Sequence, residues 1–299
     1  FFIFYDSRSG STYLAKSLAE KANICIPPET NFVTSIISHY GVKNITNKGD
    51  IDTLCKLISL DRKFSDWNIK IEDIAGATKD QLKNNQQILL REFFLSIFKL
   101  FIQKNNIKDI AGFGIKKGSY ITYFKQLKEV FPRAKFIHLI RDGRAVFNSK
   151  KNNIYSVTGK PFETDPCKAA RIWKKSVELS RYINYLYPDS SIIIYYEDLI
   201  LNPDFTLKRI ADFLNISIIK SVPQSQYQVP ERYGELHSNI EKEPLKNRIN
   251  SWKTSLQPQE IEQYEAIAGT TLTQENYLLS SPLYKRLYNK LLLTLDINN

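Results

Sequence analysis

The chain opens on a strand that leads with no spacer into a loop of small hydroxyl residues and then a helix. Phe1–Tyr5 is apolar on both faces, Asp6-Ser-Arg-Ser-Gly-Ser-Thr12 follows, and Tyr13–Ala22 carries Leu14, Leu18 and Ala22 four residues apart. Three further runs, Ala111–Ile115, Lys135–Ile140 and Ser191–Tyr196, are rich in Ile and aromatic residues and mostly apolar on both faces. Strands of this kind need cover on both sides, as in a parallel sheet. Helical patterns follow them. Ser119 is placed to cap a helix with Ile121, Phe124, Leu127 and Val130 inward, ended at Pro132. Asp165-Pro166, Asn202-Pro203 and Gln257-Pro258 each set a first-turn proline behind a capping position. The first opens a helix running to Tyr187-Pro188, and the last a helix expected to stop at Gly269. Strand–helix alternation predicts an α/β fold, a three-layer sandwich with a central parallel sheet and right-handed crossovers. The stretch 35–110 reads as a mostly helical insertion within a single domain spanning 1–299.

Composition narrows the partners. With 42% hydrophobic and 12% aromatic residues the chain can bury a large core, which excludes a disordered or fibrous protein. Its net charge of +11 suits nucleic acid, a phosphorylated cofactor, an acidic glycan or a membrane surface, or else reflects a general abundance of Lys and Asn. The most apolar stretch, Ile88 to Ile102, is interrupted by Arg91, Glu92 and Lys99, so no membrane span is expected. Cys25, Cys55 and Cys167 are scattered, which argues against a zinc ribbon or disulfide framework and for three core thiols. The chain lacks Met even at position 1, so it is expected to start downstream of an initiator, leaving any targeting segment open.

The first loop sits where a parallel sheet and a helix N-terminus present backbone N–H groups to an anion. Gly10 permits close backbone approach, Ser9, Ser11 and Thr12 add hydroxyls, and Arg8 adds a permanent charge. An ordinary capped turn is the plain alternative for the Ser/Gly/Thr residues alone. A nucleotide-kinase P-loop would need Gly at position 5 and Lys at 11, where Tyr5 and Ser11 stand, so the loop suits a single terminal phosphate. A second anion site is expected at Arg141, on the carboxyl end of the Lys135–Ile140 strand, with Ser149 two helical turns further on.

Ser7-Arg-Ser-Gly-Ser-Thr12, Arg141-Asp-Gly-Arg-Ala-Val with Ser149, and Tyr195-Tyr-Glu-Asp-Leu199 with Asn202-Pro203 together resemble the sulfotransferases that use 3′-phosphoadenosine-5′-phosphosulfate (PAPS). The resemblance extends through Trp252 and the Leu256–Gly269 helix, skips roughly 35–110, and implies a P-loop-like fold. It implies that Arg8, Ser9, Gly10, Ser11 and Thr12 hold the 5′-phosphate and that Arg141 and Ser149 grip the 3′-phosphate. Tyr196 would pack near the adenine, and Lys246 and Arg248, ahead of Trp252, would reach the 3′-phosphate. Many members use a His base, whereas Glu29 in Ile26-Pro-Pro-Glu-Thr30 matches the Glu of the tyrosylprotein and some carbohydrate sulfotransferases. Lys116 in Gly114-Ile-Lys-Lys-Gly118 resembles the lysine that contacts the sulfonate. Gly118 stands where that lysine is often followed by Pro, so Lys117 remains the alternative. Arg8 would share the leaving-group role.

The implied reaction moves SO₃ from PAPS to a hydroxyl acceptor and leaves PAP, with no metal. His39 competes for the base role, His138 reads as a core residue, and His237 lies in a polar loop. A P-loop kinase and a non-catalytic binder of acidic glycan or nucleic acid are the competing classes. Carbohydrate is the preferred acceptor, since a helical cap on the acceptor side and several Tyr and Trp could stack sugars. Tyrosyl peptide, lipid and small metabolite stay open, and nucleic acid is not expected. The expected location is cytoplasmic for a bacterial protein, or the Golgi lumen behind an N-terminal anchor.

Overall fold

Why the strands fall where they do follows from side chains that have no polar face to offer water. The structure, a computed structural model, describes residues 1–155, 158–219, 227 and 246–296. In chain order its first elements are β1 (Phe2–Tyr5), α1 (Ser11–Ala22), β2 (Ile24–Cys25), α2 (Phe32–His39), α3 (Lys48–Ser59), α4 (Ile71–Lys83) and α5 (Leu90–Lys104). Then come β3 (Gly112–Phe113), β4 (Ile115–Lys116), α6 (Phe124–Val130), β5 (Phe136–Ile140), α7 (Gly143–Lys151), β6 (Ile154–Tyr155) and β7 (Lys160–Pro161). The last are α8 (Pro166–Leu186), β8 (Ser191–Tyr195), α9 (Tyr196–Leu201), α10 (Pro203–Leu214), α11 (Trp252–Ser255), α12 (Pro258–Gln274) and α13 (Leu283–Asp296). Four strands form a central parallel sheet in the order β4-β1-β5-β8, flanked by helices, as the alternation predicts.

The chain divides into two compact units, Phe1–Phe4 with Ala15–Phe136 and Leu207–Glu231, and Tyr5–Leu14 with Ile137–Thr206 and Arg232–Asn299. In the first, β1 pairs with β4 in the register Phe2↔Ile115 and Ile3↔Lys116. Residues 48–104 carry α3, α4 and α5, and their apolar faces close on an aromatic core. Phe32 meets Phe64 and Trp67 edge-on at 5.2 Å each, and Phe98 stacks on Phe113 at 4.7 Å. In the second unit, Val146, Phe147, Ala170, Trp173, Trp252, Tyr264 and Leu272 form one buried cluster.

Several local expectations need correction. The run Ala111–Ile115 is not one strand, because β3 pairs with β2 while β4 pairs with β1, and β2 itself is too short to carry a sequence pattern. Ser119 does not cap a helix; it lies inside a 3-10 turn, Gly118–Tyr123, that precedes α6. The helix α12 passes through Gly269 to Gln274, since Gly269 is buried beside Leu279 and the tertiary contact outweighs glycine's weak helix propensity. The three cysteines are buried free thiols, and burial raises Cys25 to about 12 and Cys55 to about 11.

His138, inside β5, is fully buried, and desolvation lowers it from 6.5 to about 3. Between those values the unfolded chain accepts a proton that the folded chain refuses, so stability falls as pH drops through that window and is unaffected above it. The expected slope is roughly 1 kcal/mol per pH unit. Urea unfolding from pH 7 to 4 checks this, and His138→Leu should flatten that limb.

Candidate active site

In the second unit the loop after β1 turns through two left-handed residues, Arg8 at φ 75° and Gly10 at φ 89°. A Cβ at Gly10 would run into Cδ2 and Cε2 of the Tyr196 ring, so both backbone and space demand glycine. Ser11 opens α1, where first-turn N–H groups lack helical partners and favour an anion. Ser9, Ser11 and Thr12 are buried there. Lys150 of α7 donates to both Asp6 carboxylate oxygens at 2.6 and 2.8 Å, and Arg8 Nε donates to Ser149 Oγ at 3.1 Å. The loop is thereby tied to the helix that carries Ser149.

Arg141 leaves the end of β5 into the same place. Its Nη1 and Nη2 donate to the carbonyls of Arg8 and Arg248, both at 3.1 Å, and its guanidinium lies 4.3 Å from the Tyr196 ring centroid. Its backbone is held by Trp173, whose Nε1 donates to the Arg141 carbonyl at 2.9 Å. On the other side, Glu197 accepts the Asp142 N–H at 3.0 Å and the Tyr277 hydroxyl at 2.9 Å. Burial pushes the Arg8 guanidinium down, and repulsion from Arg141 and Arg248 adds to that. Arg141 Nε is a buried donor with no acceptor among the described residues. Like charges brought together beside an unused donor are the chemistry of an anion site. Lys246 is exposed on the 3-10 turn Lys246–Ile249 and is not among the charges acting on Arg8.

The first unit holds a separate constellation. Lys116, buried at the end of β4, donates to Glu29 Oε1 at 2.5 Å, and Lys117 Nζ lies 3.6 Å from Glu29 Oε2. Lys116 thus makes the closer contact, while desolvation lowers Lys117 against the opposing pull of Glu29. The Glu29 loop is pinned on both sides. Trp67 Nε1 donates to the Pro28 carbonyl and Tyr120 Oη to the Thr30 carbonyl, each at 2.9 Å. Asp61 accepts the Asn31 and Phe32 N–H groups at 2.5 and 3.0 Å. Asp61, Trp67 and Tyr120 were not legible as site residues, because nothing nearby in sequence links them to position 29.

Of the histidines, His39 is exposed with its ring Nδ1 2.9 Å from the Ser35 carbonyl of its own helix. His138 is the core residue expected, and His237 lies outside the described residues.

A family model described as "Sulfotransferase family" matches residues 1–220, and the chain belongs to that family. Among curated proteins it is 27% identical over 172 residues to protein-tyrosine sulfotransferase 1 of Danio rerio, covering 57% of this chain and 45% of that protein. It is 33% identical over 92 residues to protein-tyrosine sulfotransferase A of Caenorhabditis elegans, covering 30% and 24% respectively. The chain thus spans less than half the length of these relatives. Among solved structures, the sulfotransferase domain from the curacin biosynthetic pathway superposes with a TM-score of 0.56 at 19% identity, covering 93% of this chain and 98% of that one. This likeness is one of fold. The expectation of a carbohydrate acceptor finds no support, since these curated relatives are named for protein tyrosine. The tryptophans expected to stack sugars, Trp67, Trp173 and Trp252, are all buried core residues.

Gly10→Ala should lower the unfolding free energy by about 2 kcal/mol, through its left-handed backbone and the clash with Tyr196. It should also abolish thermal stabilisation by inorganic sulfate, as read by melting curves with and without the ion.

Proposed function

We propose that this chain is a PAPS-dependent sulfotransferase whose acceptor is a tyrosyl hydroxyl. The observation that carries the reading is the gathering of Arg8, Arg141 and Arg248 around a buried Arg141 donor that has no acceptor among the described residues. PAPS offers two phosphates and a sulfonate, which is the charge such a set requires. Arg8, Ser9, Gly10, Ser11 and Thr12 take the 5′-phosphate, and Arg141, Ser149 and Arg248 the 3′-phosphate, while Tyr196 backs the Arg141 guanidinium. Lys246, exposed like Arg248 but not among the charges acting on Arg8, is left with a lesser share of this role.

Sulfonate transfer forms a bond from the acceptor oxygen to sulfur as the bond from sulfur to the 5′-phosphate oxygen breaks. The acceptor proton needs a base, and Glu29 supplies a carboxylate whose loop is already fixed. Lys116 supplies a cation for charge developing on the sulfonate, and Arg8 one for the leaving oxygen. The acceptor assignment is supported by the curated relatives, which are named for protein tyrosine. A kinase reading is disfavoured because Ser11 stands where the P-loop lysine would be.

Radiolabelled PAPS offered with a tyrosyl peptide, a glycan and a simple phenol should label the peptide. Glu29→Gln should keep PAP-induced thermal stabilisation and lose transfer by ~10²–10⁴-fold. A melting shift with ATP–magnesium and none with PAP would instead establish the kinase. Trp67→Phe, which deletes the hydrogen bond to Pro28 and leaves a gap in the aromatic core around Phe32 and Phe64, should lower kcat about 10-fold while leaving PAP affinity unchanged.

A further inference from the structure

The Arg141 guanidinium is aimed by the peptide that joins Arg141 to Asp142, and two side chains of the second unit hold that peptide. Trp173 of α8 donates to its carbonyl at 2.9 Å, and Glu197 of α9 accepts its N–H through Oε1 at 3.0 Å. A Cβ at Gly143 would run into the Tyr264 hydroxyl and the Trp173 ring, so the turn that follows is closely confined. Farther along the Arg141 side chain, Nη1 and Nη2 donate to the Arg8 and Arg248 carbonyls. That leaves Nε as the buried donor without an acceptor among the described residues. With the peptide and both Nη atoms held, the direction in which Nε–H points is set too.

A lone carboxylate would be a loose hold, because its side chain can swing off the Asp142 N–H. Tyr277 prevents this, since its hydroxyl donates to Glu197 Oε2 at 2.9 Å and both carboxylate oxygens are then engaged. Burial raises the Glu197 carboxyl above its usual range, and the bonds from Asp142 and Tyr277 pull the other way, favouring the charged acceptor. Tyr277 is itself fixed. Its ring lies tilted against Trp173, with centroids 6.5 Å apart. Glu275, two residues before it, accepts from Arg181 Nη1 at 2.6 Å and from Tyr195 Oη at 2.8 Å. We infer that Glu197 and Tyr277 are positioning residues for a 3′-phosphate, acting through the Arg141–Asp142 peptide. They select a nucleotide phosphorylated at both 3′ and 5′ over one phosphorylated at 5′ alone. That selection rests on the proposed reading of Arg141 as a 3′-phosphate ligand. The loop proposed for the 5′-phosphate is tied down separately, by Lys150 on Asp6 and by Ser149 on Arg8.

Calorimetric titration of the full chain with PAP and with adenosine 5′-phosphate tests this. The parent chain should bind PAP at least ~10-fold more tightly than adenosine 5′-phosphate. Tyr277→Phe keeps the ring and deletes the hydroxyl. It should weaken PAP binding about 10-fold and leave adenosine 5′-phosphate within ~2-fold of the parent. Glu197→Asp keeps the charge but is too short to reach both partners, and it should change the two affinities in the same way. A parent with no preference for PAP would overturn the 3′-phosphate reading of Arg141, and the positioning role with it. A parent preference that survives both substitutions would overturn the positioning role alone. So would an equal loss of both nucleotides, since the pair would then serve only to hold the fold.

Discussion

Gathering Arg8, Arg141 and Arg248 is unfavourable in the protein alone, because each guanidinium is a permanent charge and the burial of Arg141 and of much of Arg8 removes water that would screen them. The surrounding structure has to hold them. Asp6 and Lys150, paired and both buried, lock the loop that bears Arg8 to α7. Trp173 and Glu197 hold the two polar groups of the peptide that joins Arg141 to Asp142. Below them Arg144 is buried in a fork of Asp142, at 3.0 and 2.7 Å, reaches Glu265 at 2.5 Å, and lies 3.9 Å from the ring of Trp252. Trp252 in turn anchors the chain four residues past Arg248. The repulsion is thus built in, and the anion proposed to bind there would relieve it.

A second constraint is local to the Glu29 loop. A carboxylate used as a base has to stay in place, and two consecutive prolines alone would not ensure that. Trp67 and Asp61, from the stretch between α3 and α4, and Tyr120, from the turn after β4, fasten it at Pro28, Asn31 and Phe32, and Thr30 respectively. That stretch therefore positions the residue proposed as the base.

Much of the fold was legible because its signals are local. Continuous apolar runs placed β1, β5 and β8, and proline behind a capping residue placed the starts of α8, α10 and α12. The signals that failed were those a partner can override. Gly269 reads as a stop until a neighbouring leucine packs on it, and two residues such as Ile24 and Cys25 form a strand only because β3 lies alongside. Among the site residues, Arg8 to Thr12 and Arg141 with Ser149 could be named from spacing along one strand–loop–helix unit. Asp6, Lys150, Trp173 and Glu197 could not, because their contacts join positions up to 144 residues apart.

The amino-acid sequence by itself determined a parallel α/β architecture, a strand–loop–helix turn without the kinase lysine, and the family to which both belong. Those follow from periodicity, from the conformational freedom of Gly10 and from charge at fixed spacing, all properties of short segments. Only the tertiary structure decided that three arginines share one place and that Glu29 meets Lys116 more closely than Lys117. It alone left Leu283, Leu287, Leu291 and Leu292 of α13 exposed. Electrostatic repulsion, hydrogen-bond geometry and burial depend on distances through space, and the chain acquires those only when it folds.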